Sequence, residues 1–330
     1  MRQAQLCACQ TNQNMLNQSF QSPLNIEPIQ ITIIGFGNVG RQILAQLLEE
    51  QFRPYNINIV DPNPEIKGSI YDLLPAGNLR KIHRIYLNHE THFNDADFIF
   101  YAAGSKIQKG DNKTAILQRD VEDVQRHFEN YSPYKIPLII VISKPVEVLC
   151  QAIKNISNLP WASIIGLGTL VDSLRLEYFI AQKLQKQQNE IKAWVLGQHG
   201  EYIVPAFSHT LVNGLTVTSF LSKEELEECA QETKNAVHHI EETQGESYFT
   251  AAKAAVFLLH AYSSLTQEIL PLTVYHPARN IFVSLPVKIG KKQIHKVADF
   301  ELSQLEQNQL DNAIEAISSK NDCIFQKVEV

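Results

Sequence analysis

Thirty residues in, the chain changes from unpatterned to sharply ordered. ITIIGFGNVGRQILAQLLEEQF, from Ile31, sets a buried apolar strand, a glycine-rich turn and an amphipathic helix end to end. Gly35, Gly37 and Gly40 stand between strand and helix in G-x-G-x-x-G spacing, with Asn38 and Val39 between the last two. The first glycine permits a tight turn, and the second lets the backbone approach a pyrophosphate. The third lets the helix pack closely on the strand, while the helix N-terminus supplies positive potential. NINIVD follows as a second strand, and Asp61 ends it, twenty-one residues after Gly40. An acid there accepts both ribose hydroxyls and repels a 2′-phosphate, so this spacing predicts NAD, not NADP.

DFIFYAAG, PLIIVIS and SIIGLG are three further short apolar runs, spaced widely enough for helical crossovers. Strands alternating with helices imply a parallel sheet covered on both faces. After Gly168 the texture changes. A helix is expected from about Asp172 to Gln188, then a strand-like AWVLGQHGEYIVP, then helices near Lys223–Thr243 and Thr250–Gln267. Strand-like NIFVSLPVKIG and KKQIHKVADF and an amphipathic last helix complete the pattern. The expected fold class is α/β: a Rossmann-type doubly wound parallel sheet over residues 30–168, followed by an α+β substrate and catalytic domain over residues 169–330. Residues 1 to 30 hold eleven Gln or Asn and only two charges, so 1–29 read as a polar flexible arm.

The formal charge of −6 argues against a nucleic-acid partner, which needs a basic footprint. Five cysteines with no C-x-x-C pair argue against a disulfide framework or a structural zinc site and fit a reducing, cytoplasmic compartment. No metal is expected. The longest aliphatic run, LIIVI, is too short to cross a bilayer.

In an open α/β sheet the ligand-binding groups gather at the carboxyl ends of the strands. Those ends carry Gly104 and Ser105 in AAGSKIQKGDNKT, Ser143 and Lys144 in ISKPV, and the segment GLGTLVDSLR. Gly104, Ser105 and Ser143 are therefore candidates for cofactor contact. Asp172 and Arg175, three apart, share one helix face. His199 lies in GQHG at the end of a strand-like run.

With ITIIGFGNVG, VDPNPEIKGSIYDLLPA, AAGSKIQKGDNK, LGTLVDSLR, VLGQHGE and GESYF in this order, the chain from about Ile31 onward resembles the lactate/malate dehydrogenase family, and within it the L-lactate branch. The resemblance implies NAD-dependent interconversion of a 2-hydroxy acid and its 2-oxo acid, in a homodimer or homotetramer. It makes His199 the acid/base, Asp172 the carboxylate that holds its ring, and Arg175 the anchor for the substrate carboxylate. A planar guanidinium suits that last role because it makes two parallel hydrogen bonds. Ser247 falls where the family places a hydroxyl on the pocket floor.

Two positions depart from the family pattern. The loop Gly104–Thr114 matches the segment that closes over substrate, but its last basic residue, normally an arginine that polarises the carbonyl, is Lys113. Lys144 stands where the family has an asparagine facing the nicotinamide and the substrate oxygen, so the resemblance makes it a substrate-binding position. Ile107 replaces the arginine by which malate enzymes meet a second carboxylate, which implies an uncharged substrate side chain such as that of pyruvate or a branched 2-oxo acid. An alternative is a non-catalytic relative that binds NAD and serves as sensor or scaffold. Lys113 and Lys144 favour it, and His199, Asp172 and Arg175 favour the enzyme.

Overall fold

The structure is a computed structural model and describes residues 27–77, 82–105, 110–297 and 299–325. Nearly all of the N-terminal arm, and Ile107 with its neighbours Lys106 and Lys109, lie outside the described residues.

Six parallel strands form the first half of the sheet: β1 (Ile29–Ile34), β2 (Tyr55–Val60), β3 (Arg84–Leu87), β4 (Phe98–Tyr101), β5 (Leu138–Val141) and β6 (Ile164–Gly166). They lie in the order β3-β2-β1-β4-β5-β6. Sequence pattern explains why the middle strands read as unbroken apolar runs. On β4, Phe98 and Phe100 enter one core, and Ile99 and Tyr101 enter the other. On β5, Leu138 and Ile140 divide from Ile139 and Val141 in the same way. A strand with helices on both faces needs apolar residues at every position. The crossovers are α1 (Asn38–Leu47), α2 (Ile66–Gly77), α3 (Glu90–Asn94), α4 (Lys113–Phe128) and α5 (Val146–Ile156). Strand order reverses between β1 and β4, which opens a crevice at their carboxyl ends.

The second half begins with α6 (Leu170–Leu184), the short strands β7 (Ile191–Lys192), β8 (Val195–Gly197), β9 (Ile203–Pro205), β10 (Leu211–Val212) and β11 (Leu215–Thr216), and the helices α7 (Lys223–Gln244) and α8 (Phe249–Ser263). β12 (Glu268–His276), β13 (Ile281–Gly290), β14 (Gln293–Lys296) and the last helix, α9 (Gln304–Phe325), complete it. Its strands do not form a separate layer. β12 joins β6 antiparallel through Thr273 and Gly166, and β13, β8 and β9 continue outward, so one mixed sheet runs through both halves. Gly166 is needed at the junction because a Cβ there would stand 2.5 Å from Val146 and 2.8 Å from Thr273.

Two boundaries differ from the sequence expectation. α6 ends at Leu184, where Gln185 turns left-handed, not at Gln188. α8 ends at Ser263, capped by extended Ser264, and the residues up to Gln267 lead into β12. Among the described residues no helix is long and apolar enough to cross a membrane.

Candidate active site

A cleft of about 1030 Å³ opens where the strand order reverses, and residues from both halves line it. Its dinucleotide end is built by the glycine turn. Gly35 adopts φ +87°, a left-handed conformation that favours glycine, directly against the Ala103 backbone. A Cβ at Gly40 would collide with the Gly35 carbonyl, so α1 sits tight on β1. Gly37 caps α1 without a side-chain hydrogen bond and has open space where a Cβ would be. The helix N-terminus is thus bare toward the cleft. Arg41 lines the same cleft, and its Nε is buried without a partner. Bare N–H groups with a guanidinium residue on the same cleft suit a pyrophosphate.

Asp61 is fixed beside them. Its Oδ2 accepts the Phe36 N–H at 2.7 Å and its Oδ1 the Asn63 N–H at 2.8 Å. Asn88 clasps the Asp61 backbone from behind, accepting its N–H at 2.9 Å and donating to its carbonyl at 3.0 Å. Ser143 Oγ donates to the Ala103 carbonyl at 2.5 Å, tying the ends of β4 and β5, and the Ser105 N–H donates to Asp120 at 2.7 Å. The residues present therefore fit a dinucleotide with free ribose hydroxyls.

The chemical end is built on α6. Thr169 donates its hydroxyl to the Val195 carbonyl at 2.5 Å, and Ser173 Oγ accepts the Val195 N–H at 2.9 Å. These bonds pin the start of α6 to β8, the strand that leads to His199. Asp172 on α6, with 1% of its side chain exposed, then places Oδ2 2.6 Å from His199 Nδ1. A carboxylate only accepts, so Nδ1 carries the proton of that bond. Nδ1 thus occupied, Nε2 is the ring nitrogen available for proton transfer, and His199 lines the cleft. Burial pushes the Asp172 carboxyl up. The His199 ring, its hydrogen bond, Arg175 and Lys144 outweigh that, and the net shift is downward.

Arg175, one turn further along α6, donates from Nη1 to Asp172 Oδ1 at 3.3 Å and from Nη2 to Ser247 Oγ at 2.9 Å. Both Arg175 and Ser247 face the cleft. The residues expected as acid/base, orienting carboxylate and cationic anchor are assembled at one place.

Of the other expected site residues, Gly35, Gly37, Asn38, Val39, Asp61, Gly104, Ser105, Ser143 and Lys144 line the cleft, while Gly40 and Asp172 support it from behind. Lys144 Nζ lies 3.4 Å from Glu241 on α7. Lys113 is elsewhere. It is the first residue of α4, exposed, behind an Asn112 cap whose side chain accepts the Ala115 N–H at 2.8 Å, and it does not line the cleft.

Sequence reading missed Arg41 and three acids. Glu147 on α5 is fully buried and accepts the His199 backbone N–H at 3.0 Å through Oε1. Burial pushes its carboxyl up, and the bond from His199 only partly offsets this. Its one signal was a lone acid within the apolar run VEVLCQAI. Glu241 meets Lys144, and Glu246 accepts the Asn38 amide at 2.8 Å, so two acids from around the end of α7 reach across to the dinucleotide half.

Two family models cover this architecture. One described as the lactate/malate dehydrogenase NAD binding domain matches residues 29–166, and one described as the lactate/malate dehydrogenase alpha/beta C-terminal domain matches residues 169–328. A malate dehydrogenase of Chlorobium luteolum is 29% identical over 290 residues, covering 83% of this chain and 92% of the relative. A probable L-lactate dehydrogenase of Schizosaccharomyces pombe is 28% identical over 323 residues, covering 93% and 94%. Among solved structures, a minor L-lactate dehydrogenase of Enterococcus mundtii superposes with a TM-score of 0.83 at 21% identity, covering 90% of this chain and 98% of that one. A malate dehydrogenase of Plasmodium falciparum solved in complex with NADH gives a TM-score of 0.77 at 24% identity, covering 90% and 98%. At such identities these two superpositions speak for the fold.

Proposed function

The chain belongs to the lactate/malate dehydrogenase family and is an NAD-dependent oxidoreductase of that type, and from this premise we propose that it interconverts a small or branched 2-oxo acid and its 2-hydroxy acid. The observation that carries the reading is the joining of His199, Asp172, Arg175 and Ser247 in one cleft with the dinucleotide turn. Arg175 takes the substrate carboxylate in a paired hydrogen bond, its other face steadied by Ser247 and Asp172. That pose turns the 2-oxo carbon toward the dinucleotide side and its oxygen toward His199. NAD, when bound, supplies the hydride acceptor or donor. His199 Nε2 gives a proton to the carbonyl oxygen during reduction and takes it back during oxidation. Asp172, held ionised and buried, stabilises the imidazolium form and keeps the ring turned.

Preference for an uncharged side chain rests on Ile107. One observation favours a dicarboxylate instead: Lys144 is a cation in the cleft. Glu241 already faces that charge at 3.4 Å, which weighs against its use for a second substrate carboxylate. Lys113 reaches a carbonyl only if the segment from Gly104 to Thr114 closes on substrate. A homodimer or homotetramer in the cytoplasm belongs to the same reading, and buried free thiols at Cys150 and Cys229 support a reducing compartment.

The test is NADH oxidation with pyruvate, branched 2-oxo acids and oxaloacetate. Pyruvate or a branched acid is expected to exceed oxaloacetate in kcat/KM by at least about tenfold, the cost of an unpaired carboxylate. Highest kcat/KM on oxaloacetate would assign Lys144 the specificity role, and no turnover on any of them would leave the sensor or scaffold reading.

A further inference from the structure

His199 stands on the turn between β8 and β9, where the backbone has little stiffness of its own. Gly197 and Gly200 flank it with φ +86° and +99°, both in the left-handed region. The Gln198 N–H reaches across the turn to the Tyr202 carbonyl at 3.1 Å. The next N–H, that of His199, donates instead to Glu147 Oε1 at 3.0 Å. Two carboxylates therefore hold this residue, and they come from opposite halves of the chain. Asp172 on α6 holds the ring through Nδ1, and Glu147 on α5 holds the main chain.

The packing of α5 does not ask for an acid at this position. Val146, Val148, Leu149, Cys150, Ala152 and Ile153 around it are buried and apolar. Glu147 is 1% exposed, and the bond to His199 is the only one its side chain makes with another of the described residues. Burying a carboxyl among apolar side chains is costly, and one hydrogen bond offsets that only in part. An apolar residue of similar volume would serve the core better, so the acid's contribution lies in what it holds. The same turn of α5 also shapes the cleft, because Lys144 and Val146, just ahead of Glu147, line it.

We infer that Glu147 is a positioning residue for proton transfer: it fixes where His199 stands over the cleft, while Asp172 fixes which way the ring turns. The inference rests on the reading of His199 as the acid/base and not on which 2-oxo acid the cleft takes. Proton transfer needs the ring nitrogen within hydrogen-bond reach of the substrate oxygen as the hydride crosses. A displacement of about 1 Å can cost ~10² in rate. Glu147 sets that distance from the dinucleotide half, so the donor is referenced to the half that holds the cofactor. The role calls for an acceptor at Oε1 and not for a charge.

The experiment compares Glu147→Met, unbranched and without an acceptor, with Glu147→Gln, which keeps one. NADH oxidation with the best 2-oxo acid and fluorescence titration with NADH are measured on the full chain. Glu147→Met is expected to lower kcat by ~30-fold or more, with KM for the 2-oxo acid and NADH affinity each within about threefold of the parent. Glu147→Gln is expected to restore kcat to within about threefold. A residue that only supports the fold would move NADH affinity together with kcat. Amide hydrogen exchange of the parent chain, read by NMR, needs no variant to fold: the His199 N–H is expected to be protected despite its place between two glycines. Parental kcat in Glu147→Met, a Glu147→Gln as slow as Glu147→Met, NADH affinity falling in step with kcat, or a freely exchanging His199 amide each overturns the inference. A parent chain without turnover on any 2-oxo acid would instead defeat the reading of His199, and the inference with it.

Discussion

The carboxylate of Glu147, with no exposed path to solvent, receives the backbone N–H of His199 at 3.0 Å. Its second oxygen is unpaired. Burial raises its carboxyl above the ordinary range, so the folded state resists an ionisation that the unfolded chain undergoes freely. The folded chain therefore holds more protons between the two values, and stability falls as pH rises through that window. Glu147→Gln keeps an acceptor for His199 and removes the ionisation. Urea midpoints at pH 5 and pH 8 should show the variant gaining on the parent as pH rises. A difference that is constant with pH would mean that Glu147 does not titrate in folding.

Asp172→Asn keeps the shape of the side chain and removes its charge. The imidazolium of His199 then lacks its counter-ion, and kcat should drop by ~10³, with KM for the 2-oxo acid changing much less. Acid stability supplies a second readout. A carboxyl held below its ordinary value contributes stability above the unfolded pKa, and that contribution is lost as pH falls through the folded value. The variant should therefore lose less stability between neutral and acid pH than the parent. Equal kcat in the two proteins would remove Asp172 from the mechanism.

Lys144→Asn removes a cation from the cleft, at the position expected to face the nicotinamide, and releases Glu241. The expected result is a rise of ~10-fold in kcat/KM for 2-oxo acid reduction, and Lys113→Arg added to it should bring the gain to ~10², about 2.7 kcal/mol. If the Gly104–Thr114 segment closes on substrate as proposed, both groups address one oxygen, and the two gains should not simply add. If the double variant were slower on every 2-oxo acid tried, the lysines would belong to a different substrate.

Asp61 has both carboxylate oxygens engaged by backbone N–H groups, so it cannot swing away from a 2′-phosphate. NADH should bind at least tenfold more tightly than NADPH, about 1.4 kcal/mol. Asp61→Ser should narrow the ratio mainly by weakening NADH. Fluorescence titration with the two cofactors measures it, and equal affinities in the parent chain would defeat the claim.

The dinucleotide half was legible because its chemistry is local: strand, turn, helix and acid must follow one another closely, and each leaves a residue type behind. His199, Asp172 and Arg175 were legible only as a constellation matched to a family. Their mutual contacts depend on Thr169 and Ser173 fastening α6 to β8, which no spacing reveals. β12 escaped notice because EILPLTVYH follows a helical pattern without a clear stop and contains Pro271, a residue that weakens any strand assignment. Glu147 and Glu241 read as ordinary helix charges until tertiary packing sets one under His199 and the other on Lys144. Lys113 shows the reverse case, a residue conspicuous in sequence whose place at the helix start lies outside the cleft.

The junction of Gly166 with Thr273 has a consequence for how the chain comes off the ribosome. Until β12 is synthesised, β6 has a raw margin: hydrogen-bonding groups on its outer side with no strand to meet them, a template for pairing with another nascent chain. The amino-terminal half, finished early, must therefore wait for more than a hundred further residues before its sheet is closed on that side. Expressed by itself, residues 1–168 should self-associate through this margin, and co-expression of the remaining segment should return it to solution.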